Sequence, residues 1–564
     1  MNNHLDTGVI AIFSVFVLGV GMLFSKKGNN IKTFFAGGES VPWFIGGLSL
    51  FMSFFSAGTF VAWGSIAYKY GWVAITIQWT MCIGALVTGF WFAPRWKKTG
   101  ALTAAEFIRQ RLGLKVQKVY IFIFTLVNIF IKGSVLYPVS KLVSTSLHLP
   151  LVQTTIGLGL LMISYTAAGG LWAVMVTDIL QFVVLTASVF ILLPLSFDKV
   201  GGVEGFSNAA PDGFFNLLNG EYTLGFIIAF TLYHISFIAG NWTFVQRYTS
   251  VNSPNSARKV SFLFAGLYLV SPIVWMLPPM IYKAINPSLQ GLDVENAYLY
   301  MCQLALPAGL LGLMLTGMYF STSASANTAL NVVSAVFTND VYKGIINPNA
   351  TEQQLMRVAR LSSWFFGIIM IIIALLIPYA GGIVEVILSI GAVTGGPLLV
   401  PSLWALFSKK ISGKSTLIIT LFTLFINLLF KILIPILSNF KLNRAEEMML
   451  GMGLPILLIL INEFFIQRKK IQSNDFTNYL ADQKVRISQI IPQTKEEEIS
   501  IKKQNEFGLR VIAGSLAFTS LMIFALSFFT SQGRNLTMAI AFIIMLLAVI
   551  PFYHQKNNKL NSNN

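Results

Sequence analysis

Between positions 321 and 328 the chain reads Ser-Thr-Ser-Ala-Ser-Ala-Asn-Thr, a dense run of side-chain oxygens inside an otherwise apolar stretch. Ser321, Ser325 and Thr328 follow the i, i+4, i+7 spacing and would share one stripe of a helix. Neutral oxygens in a row suit a hard monovalent cation, which takes oxygen ligands without needing several carboxylates. The same hydroxyls could instead bond carbonyls one turn back in their own helix, so the stripe carries two readings. Asp178 enters the apolar run 178–195. A carboxylate inside a bilayer costs about 2.5–3.5 kcal/mol and ordinarily faces a pathway or a partner. Asp178 is therefore read as a pathway acid, a helix cap or half of an ion pair. Lys132, also within an apolar run, would pair, snorkel to the interface or border a solute route. The four histidines, His4, His148, His234 and His554, are scattered, and no HExxH-type pattern or acid pair accompanies them. No enzyme chemistry is expected.

The elements that must hold these residues follow from composition. Of 564 residues, 55% are hydrophobic and only 11% charged, against roughly 25% charged in soluble domains. That excludes soluble enzymes, nucleic-acid binders and disordered chains. Apolar runs of about 20 residues can be read about fifteen times, which describes an all-α polytopic membrane protein. The net charge of +17 is topological: with the N-terminus outside, Lys and Arg gather in alternate loops, as the positive-inside rule expects. The C-terminus then lies inside. The first run follows Asp6 and precedes Lys26 and Lys27, flanks opposite to those of a signal peptide, so it is a retained helix. A Lys- and Asn-rich tail points to a bacterial cell membrane. Cys82 and Cys302 sit in apolar runs and read as small buried hydrophobes.

Two runs are interrupted by small and polar residues: 43–70, centred on Ser53-Phe54-Phe55-Ser56-Ala57-Gly58-Thr59, and 223–244, from His234 to Thr243. They occupy the second and seventh places in the order of spans, five helices apart. Matched, Gly-interrupted segments of this kind mark inverted-repeat transporters, because backbone groups freed at a break can meet an ion or solute. Small residues that let helices pack closely would leave the same trace. A third run, 299–337, carries the Ser321–Thr328 cluster and is also expected to depart from a plain lipid-facing helix.

The segments FFAGGESVPWFIGGLSLFMSFFSAGTF (34–60), GGLWAVMVTDILQ (169–181), NWTFVQRYTS (241–250) and STSASANTALNVVSAVFTNDVYK (321–343) resemble the sodium:solute symporters, a family that includes sodium/glucose cotransporters and bacterial proline and sialic acid transporters. The resemblance runs from about residue 8 to 466. It implies a leucine-transporter-like 5+5 inverted-repeat bundle with extra N- and C-terminal helices. The organisation expected is an N-terminal helix and loop at 1–33, a first five-helix repeat at 34–196, a loop and second repeat at 197–411, two further helices at 412–466, a cytoplasmic linker at 467–508 and a helical hairpin with tail at 509–564.

By the same resemblance, the backbone carbonyls of Met52, Phe55 and Ser321 and the hydroxyl of Ser325 would form the main sodium site. Ala324 stands where the family usually has a second hydroxyl. A second sodium would use Asp178, Asn327 and Thr328. Ser56, Thr59, Gln78, Asn241, Phe244 and Thr394 would line the solute site, with Trp63 and Trp79 as gating or packing aromatics. Thr59 and Gly391 replace glutamines of the sugar-binding branch and Gln78 replaces an acid, so a hexose is not implied. The expected partners are sodium ions, a small organic solute and the bilayer, with no nucleic acid and no obligate protein partner. A proton-coupled symporter, with Asp178 as the proton acceptor, and a transporter-like sensor are the rival readings.

Overall fold

The computed structural model describes residues 3–25, 41–101, 103–147, 149–165, 171–466, 468, 472–488, 495–530 and 532–560. At scattered helical positions, including Lys132, Ser323, Ala324, Asn327 and Thr328, it describes the backbone alone. The segment Phe34–Ser40 and the residues Gly169 and Gly170 of the family-like motifs lie outside the described residues.

Long apolar runs become helices because a chain in hydrocarbon must satisfy its own backbone groups. Among the described residues, nine helices are long and apolar enough to cross a bilayer, two bent pairs each make one more span, and four shorter apolar segments fall where further spans are expected. In chain order, α1 (Asn3–Ser25) precedes the first bent pair, α2 (Trp43–Phe54) and α3 (Gly64–Tyr70). Then come α4 (Val73–Val87), α5 (Leu114–Leu147), α6 (Leu151–Tyr165) and α7 (Leu171–Asp198). The second bent pair, α8 (Leu224–Gly240) and α9 (Trp242–Thr249), opens a second group of five, completed by α10 (Pro254–Ile285), α11 (Leu310–Val336), α12 (Glu352–Leu376) and α13 (Ile383–Trp404). Outside both groups follow α14 (Gly413–Leu428), α15 (Arg444–Ile461), α16 (Asn474–Ser488), α17 (Lys495–Ser527) and α18 (Arg534–Leu560).

The bent pairs turn by 62° and 52°. They sit inside the bundle: α2 packs on α7, α9 and α10, while α8 packs on α4, α13 and α15. The helix α11 is flanked by α1, α5 and α7. Asp6 of α1 caps it, its Oδ1 accepting the N–H groups of Gly309 and Gly312 at 2.7 Å each.

Three expectations are modified. The run 299–337 is two elements, a short helix Ala297–Ala305 and the continuous α11; Pro307 and Gly309 separate them, so Ser321–Thr328 lies mid-helix rather than at a break. In the second bent pair the turn falls at Gly240–Trp242, and His234 stays in unbroken helix. The linker, expected to hold some amphipathic helix, contains α16 and the first part of α17, and α17 runs without interruption across residue 508, where the hairpin is expected to begin. The helix α16 is docked: Arg111 donates to the carbonyls of Ser408 (2.7 Å) and Ile411 (3.2 Å) and lies over the Phe476 ring, and Asp475 accepts the Gly413 N–H at 2.7 Å.

Candidate ion and solute site

At the first break the chain satisfies its own freed donors. Phe55 is extended, at φ −74° and ψ 138°, and its N–H reaches the Met52 carbonyl at 3.0 Å. Ser56 N–H is held by Thr59 Oγ1 at 3.3 Å, and Gly58 N–H by Ser56 Oγ at 3.2 Å. These two hydroxyls therefore cap the second half-helix, the role a Ser-x-x-Thr start favours. The remaining donor leaves the segment: Ala57 N–H reaches Thr322 Oγ1 of α11 at 2.8 Å. Thr322 itself donates to the Met318 carbonyl at 2.8 Å, and Ser321 to the same carbonyl at 3.0 Å.

That one contact ties the break to the oxygen-rich helix. Phe55 lies two residues before Ala57 and Ser321 one before Thr322, so the carbonyls of Met52, Phe55 and Ser321 belong to the segments it joins. A carbonyl has two lone pairs, which leaves Met52 free to serve an ion while accepting Phe55 N–H. Ser325 is half-buried, one turn further along α11. The side chains of Asn327 and Thr328 are outside the described residues. No group of three His, Cys, Asp or Glu side chains that could hold a metal occurs among the described residues; the oxygens offered to an ion here are neutral.

The break is seated in aromatic side chains. Phe55 meets Trp275 edge-on at 3.9 Å between centroids, and Phe51 meets Tyr268 at 5.1 Å. Phe54 faces His234 and Phe237 of α8 at 6.5 and 6.0 Å, and Phe237 meets Phe244 of α9 at 5.4 Å. Asn241 caps α9, its Oδ1 accepting the Thr243 N–H at 3.0 Å. Gln78 is buried on α4 and makes a long 3.4 Å contact to the Ala74 carbonyl. Thr394 donates back to the Ile390 carbonyl at 2.7 Å. Trp63 is buried against Phe230, and the Trp79 indole donates to the Leu269 carbonyl at 3.0 Å. Of the six expected solute-lining residues, Phe244 is linked to Phe54 through Phe237 and Asn241 sits at the second break, while the hydroxyls of Ser56 and Thr59 each accept a backbone N–H.

Asp178 is placed in an ion pair. Its Oδ2 accepts the Ser49 hydroxyl at 2.7 Å and faces Arg247 Nη2 at 3.8 Å. Arg247, itself buried, also reaches Ser49 Oγ at 3.3 Å and the Thr243 carbonyl at 3.1 Å. The three residues come from α2, α7 and α9, so one charge pair joins both broken spans to a neighbouring helix.

Sequence reasoning missed Thr322 and His234. Thr322 was legible as part of the hydroxyl cluster, though its partner was not. The Thr80 hydroxyl donates to the Ile77 carbonyl at 2.5 Å, so at the 2.6 Å contact His234 Nδ1 is the donor. That leaves Nε2 as an acceptor.

Comparisons with known proteins bear on this arrangement. The profile of the sodium:solute symporter family matches residues 34–421. A sodium/glucose cotransporter of Vibrio parahaemolyticus is 28% identical over 458 residues, covering 74% of this chain and 83% of the relative. Sodium/glucose cotransporter 1 of Ovis aries is 27% identical over 464 residues, covering 73% of this chain and 69% of the relative. Among solved structures, a substrate-bound, outward-open Na+-coupled sialic acid symporter, described as revealing a novel Na+ site, superposes with a TM-score of 0.68 and 20% identity, covering 81% of this chain and 97% of the other. At that identity the superposition speaks to the fold.

Proposed function

The chain belongs to the sodium:solute symporter family and is a multi-pass, sodium-coupled symporter, and from that premise we propose that sodium binds between the first broken span and α11 while a small organic solute binds between the two breaks. The observation that carries the reading is the Ala57–Thr322 hydrogen bond, which presses the broken helix against the oxygen-rich one. Sodium arriving there is held by the carbonyls of Met52, Phe55 and Ser321 and the hydroxyl of Ser325, and tightens a contact that already exists. Solute binding then follows, the two groups of five helices rock about the site, and both cargoes leave on the other side. The N-terminus is placed outside and the C-terminus inside a bacterial cell membrane, in keeping with the basic loops.

The driving force suffices. One sodium moving down about 100 mV contributes about 2.3 kcal/mol, and a tenfold gradient adds about 1.4 kcal/mol. Together these support roughly 500-fold accumulation of a neutral solute per ion.

For the solute we propose lining by Gln78, Asn241, Phe244, Thr394 and, added by the geometry, His234. The relatives' names make glucose the first compound to screen. Against it stand Thr59, Gln78 and Gly391, and Tyr233 occupies the space beside Gly391, 3.3 Å from where a Cβ would lie. Asp178 serves closure rather than ion binding in this reading, since the cation it faces is Arg247.

The test is thermal stability of the purified protein in sodium against potassium at equal ionic strength, for wild type, Ser325→Ala and Asp178→Asn. A ligand that binds the folded state raises stability by RT ln(1 + [L]/Kd). A sodium-specific shift lost in Ser325→Ala and kept in Asp178→Asn is the expected result. A shift reduced in Asp178→Asn would restore a second ion at Asp178, Asn327 and Thr328. No discrimination between the cations would overturn the sodium site, and acid-stimulated uptake without sodium would move the coupling to a proton on Asp178.

A further inference from the structure

The end of the bundle opposite Asp178 holds a second buried charge pair. Glu295 lies in the 3-10 turn Gly291–Asn296, between α10 and α11, and is only 5% exposed. Its Oε2 accepts the Lys141 ammonium at 2.7 Å and the Tyr137 hydroxyl at 2.9 Å, both from the last turns of α5. Its Oε1 accepts the N–H of Ile383, the first residue of α13, at 2.9 Å. Lys141 also donates to the Leu292 carbonyl at 2.6 Å, so the ammonium grips the turn at two oxygens. The approach is close enough to require glycine before Ile383: Gly382 has φ +91°, and a Cβ there would lie 2.5 Å from Glu295 Oε1.

One carboxylate therefore joins three segments that are far apart in sequence. These are the second intact helix of the first group of five, the connection that follows α10, and the start of the helix that ends the second group. Packing alone could hold them as well, because a buried ion pair returns little net stability over apolar groups of the same volume. What a charge pair adds is contrast. It is strong while the site is dry and worth little once water screens it.

We infer that Glu295 is a latch of the transport cycle: with Lys141, Tyr137 and the Ile383 N–H it holds the outer end of the bundle shut, and its release accompanies opening of the solute pathway on that side. The inference rests on the alternating-access reading given above. Opposite ends of the molecule are then closed by different charge pairs, Arg247–Asp178 at one and Lys141–Glu295 at the other.

The test uses the full chain carrying spin labels at Ser288→Cys and Leu149→Cys, two exposed positions on the segments the latch joins. Cys82 and Cys302 are buried and stay in place. Distance distributions are measured for the labelled wild type, Glu295→Gln, Lys141→Met and the double variant. Each single variant is expected to raise the ratio of long to short distances roughly tenfold or more, as loss of one partner from a buried pair implies. The double variant should go no further than either single one. Because sodium enters from the open state, half-saturating sodium in the thermal assay should fall as the open fraction rises, while the maximal uptake rate falls.

A folded Glu295→Gln protein with a normal sodium-specific thermal shift and unchanged distances would overturn the latch. Should Glu295→Gln fail to fold, Tyr137→Phe leaves the charge pair intact and should give a smaller shift of the same sign; no shift would overturn the proposal equally. Absence of any sodium-specific shift in wild type would instead overturn the sodium site, while the distances still report on the latch.

Discussion

At the scale of single residues, Thr322 joins a broken helix to an intact one. Its hydroxyl accepts from Ala57 and donates to Met318, so Thr322→Val would bury an unpaired N–H at the break. Thr322→Val is expected to cost about 1–3 kcal/mol of stability and to shrink the sodium-specific thermal shift, whereas Thr322→Ser should keep most of both. Equal shifts in Thr322→Val and wild type would detach the contact from ion binding. Ser325→Ala is expected to lose the sodium response in the same assay. Ser56 and Thr59 carry a structural task at the break beside the solute contacts expected of them. Their hydroxyls meet the backbone donors that the break itself creates, a demand that arises before any solute is present.

At the scale of elements, two interfaces are close enough to be tested by one added methyl group or one deleted charge. The helices α13 and α15 touch backbone to backbone: a Cβ on Gly396 would lie 2.0 Å from the Gly451 carbonyl oxygen, and one on Gly451 would lie 2.0 Å from that of Ala392. Gly451→Ala is thus expected to destabilise by about 1–3 kcal/mol through overpacking, seen as a lower melting temperature in both sodium and potassium. The dock of α16 depends on Arg111, which is 1% exposed; burial lowers its pKa to about 10, so it remains a cation at neutral pH. Arg111→Met is expected to release α16 and raise amide exchange across residues 474–488 while leaving exchange in α11 unchanged. Protection retained in the variant would show that the apolar contacts of Phe476 and Tyr479 suffice.

At the scale of the whole molecule, the polar contacts that tie the bundle together differ in kind from level to level. Near the middle the tie is the neutral hydrogen bond from Ala57. Toward one end it is Ser49, Asp178 and Arg247, linking α2, α7 and α9. Asp178→Asn and Arg247→Gln are each expected to destabilise, by about 3–5 kcal/mol where a buried charge is left unpaired. The double variant should recover much of that loss. Additive effects in a double-mutant cycle would show that the two side chains act independently. The far end carries a looser network in which Arg444 bridges Glu221 and Glu385, while Lys431 bridges Glu385 and Glu447. It joins the loop before α8 to α13 and α15, but it is part-exposed and therefore weak and salt-sensitive.

What the amino-acid sequence determined by itself was the class of molecule and the order of its parts. Hydrocarbon forbids unsatisfied backbone, so apolar runs of sufficient length read directly as helices. Small and polar residues within two of those runs mark the bends, which measure 62° and 52°. The hydroxyl cluster at 321–328 was equally legible, because a helix repeats its faces every 3.6 residues. Tertiary structure alone decided partners. Nothing local assigns Arg247 to Asp178 at a separation of 69 residues, or Thr322 to Ala57 at a separation of 265 residues. Nor could spacing distinguish the run 299–337 as a short helix and a long one, since an apolar run has the same pattern whether it crosses once or turns at Pro307 and Gly309. The Glu295 cluster was invisible for the same reason: an acid in a loop reads as solvated until the fold brings α5 and α13 to meet it.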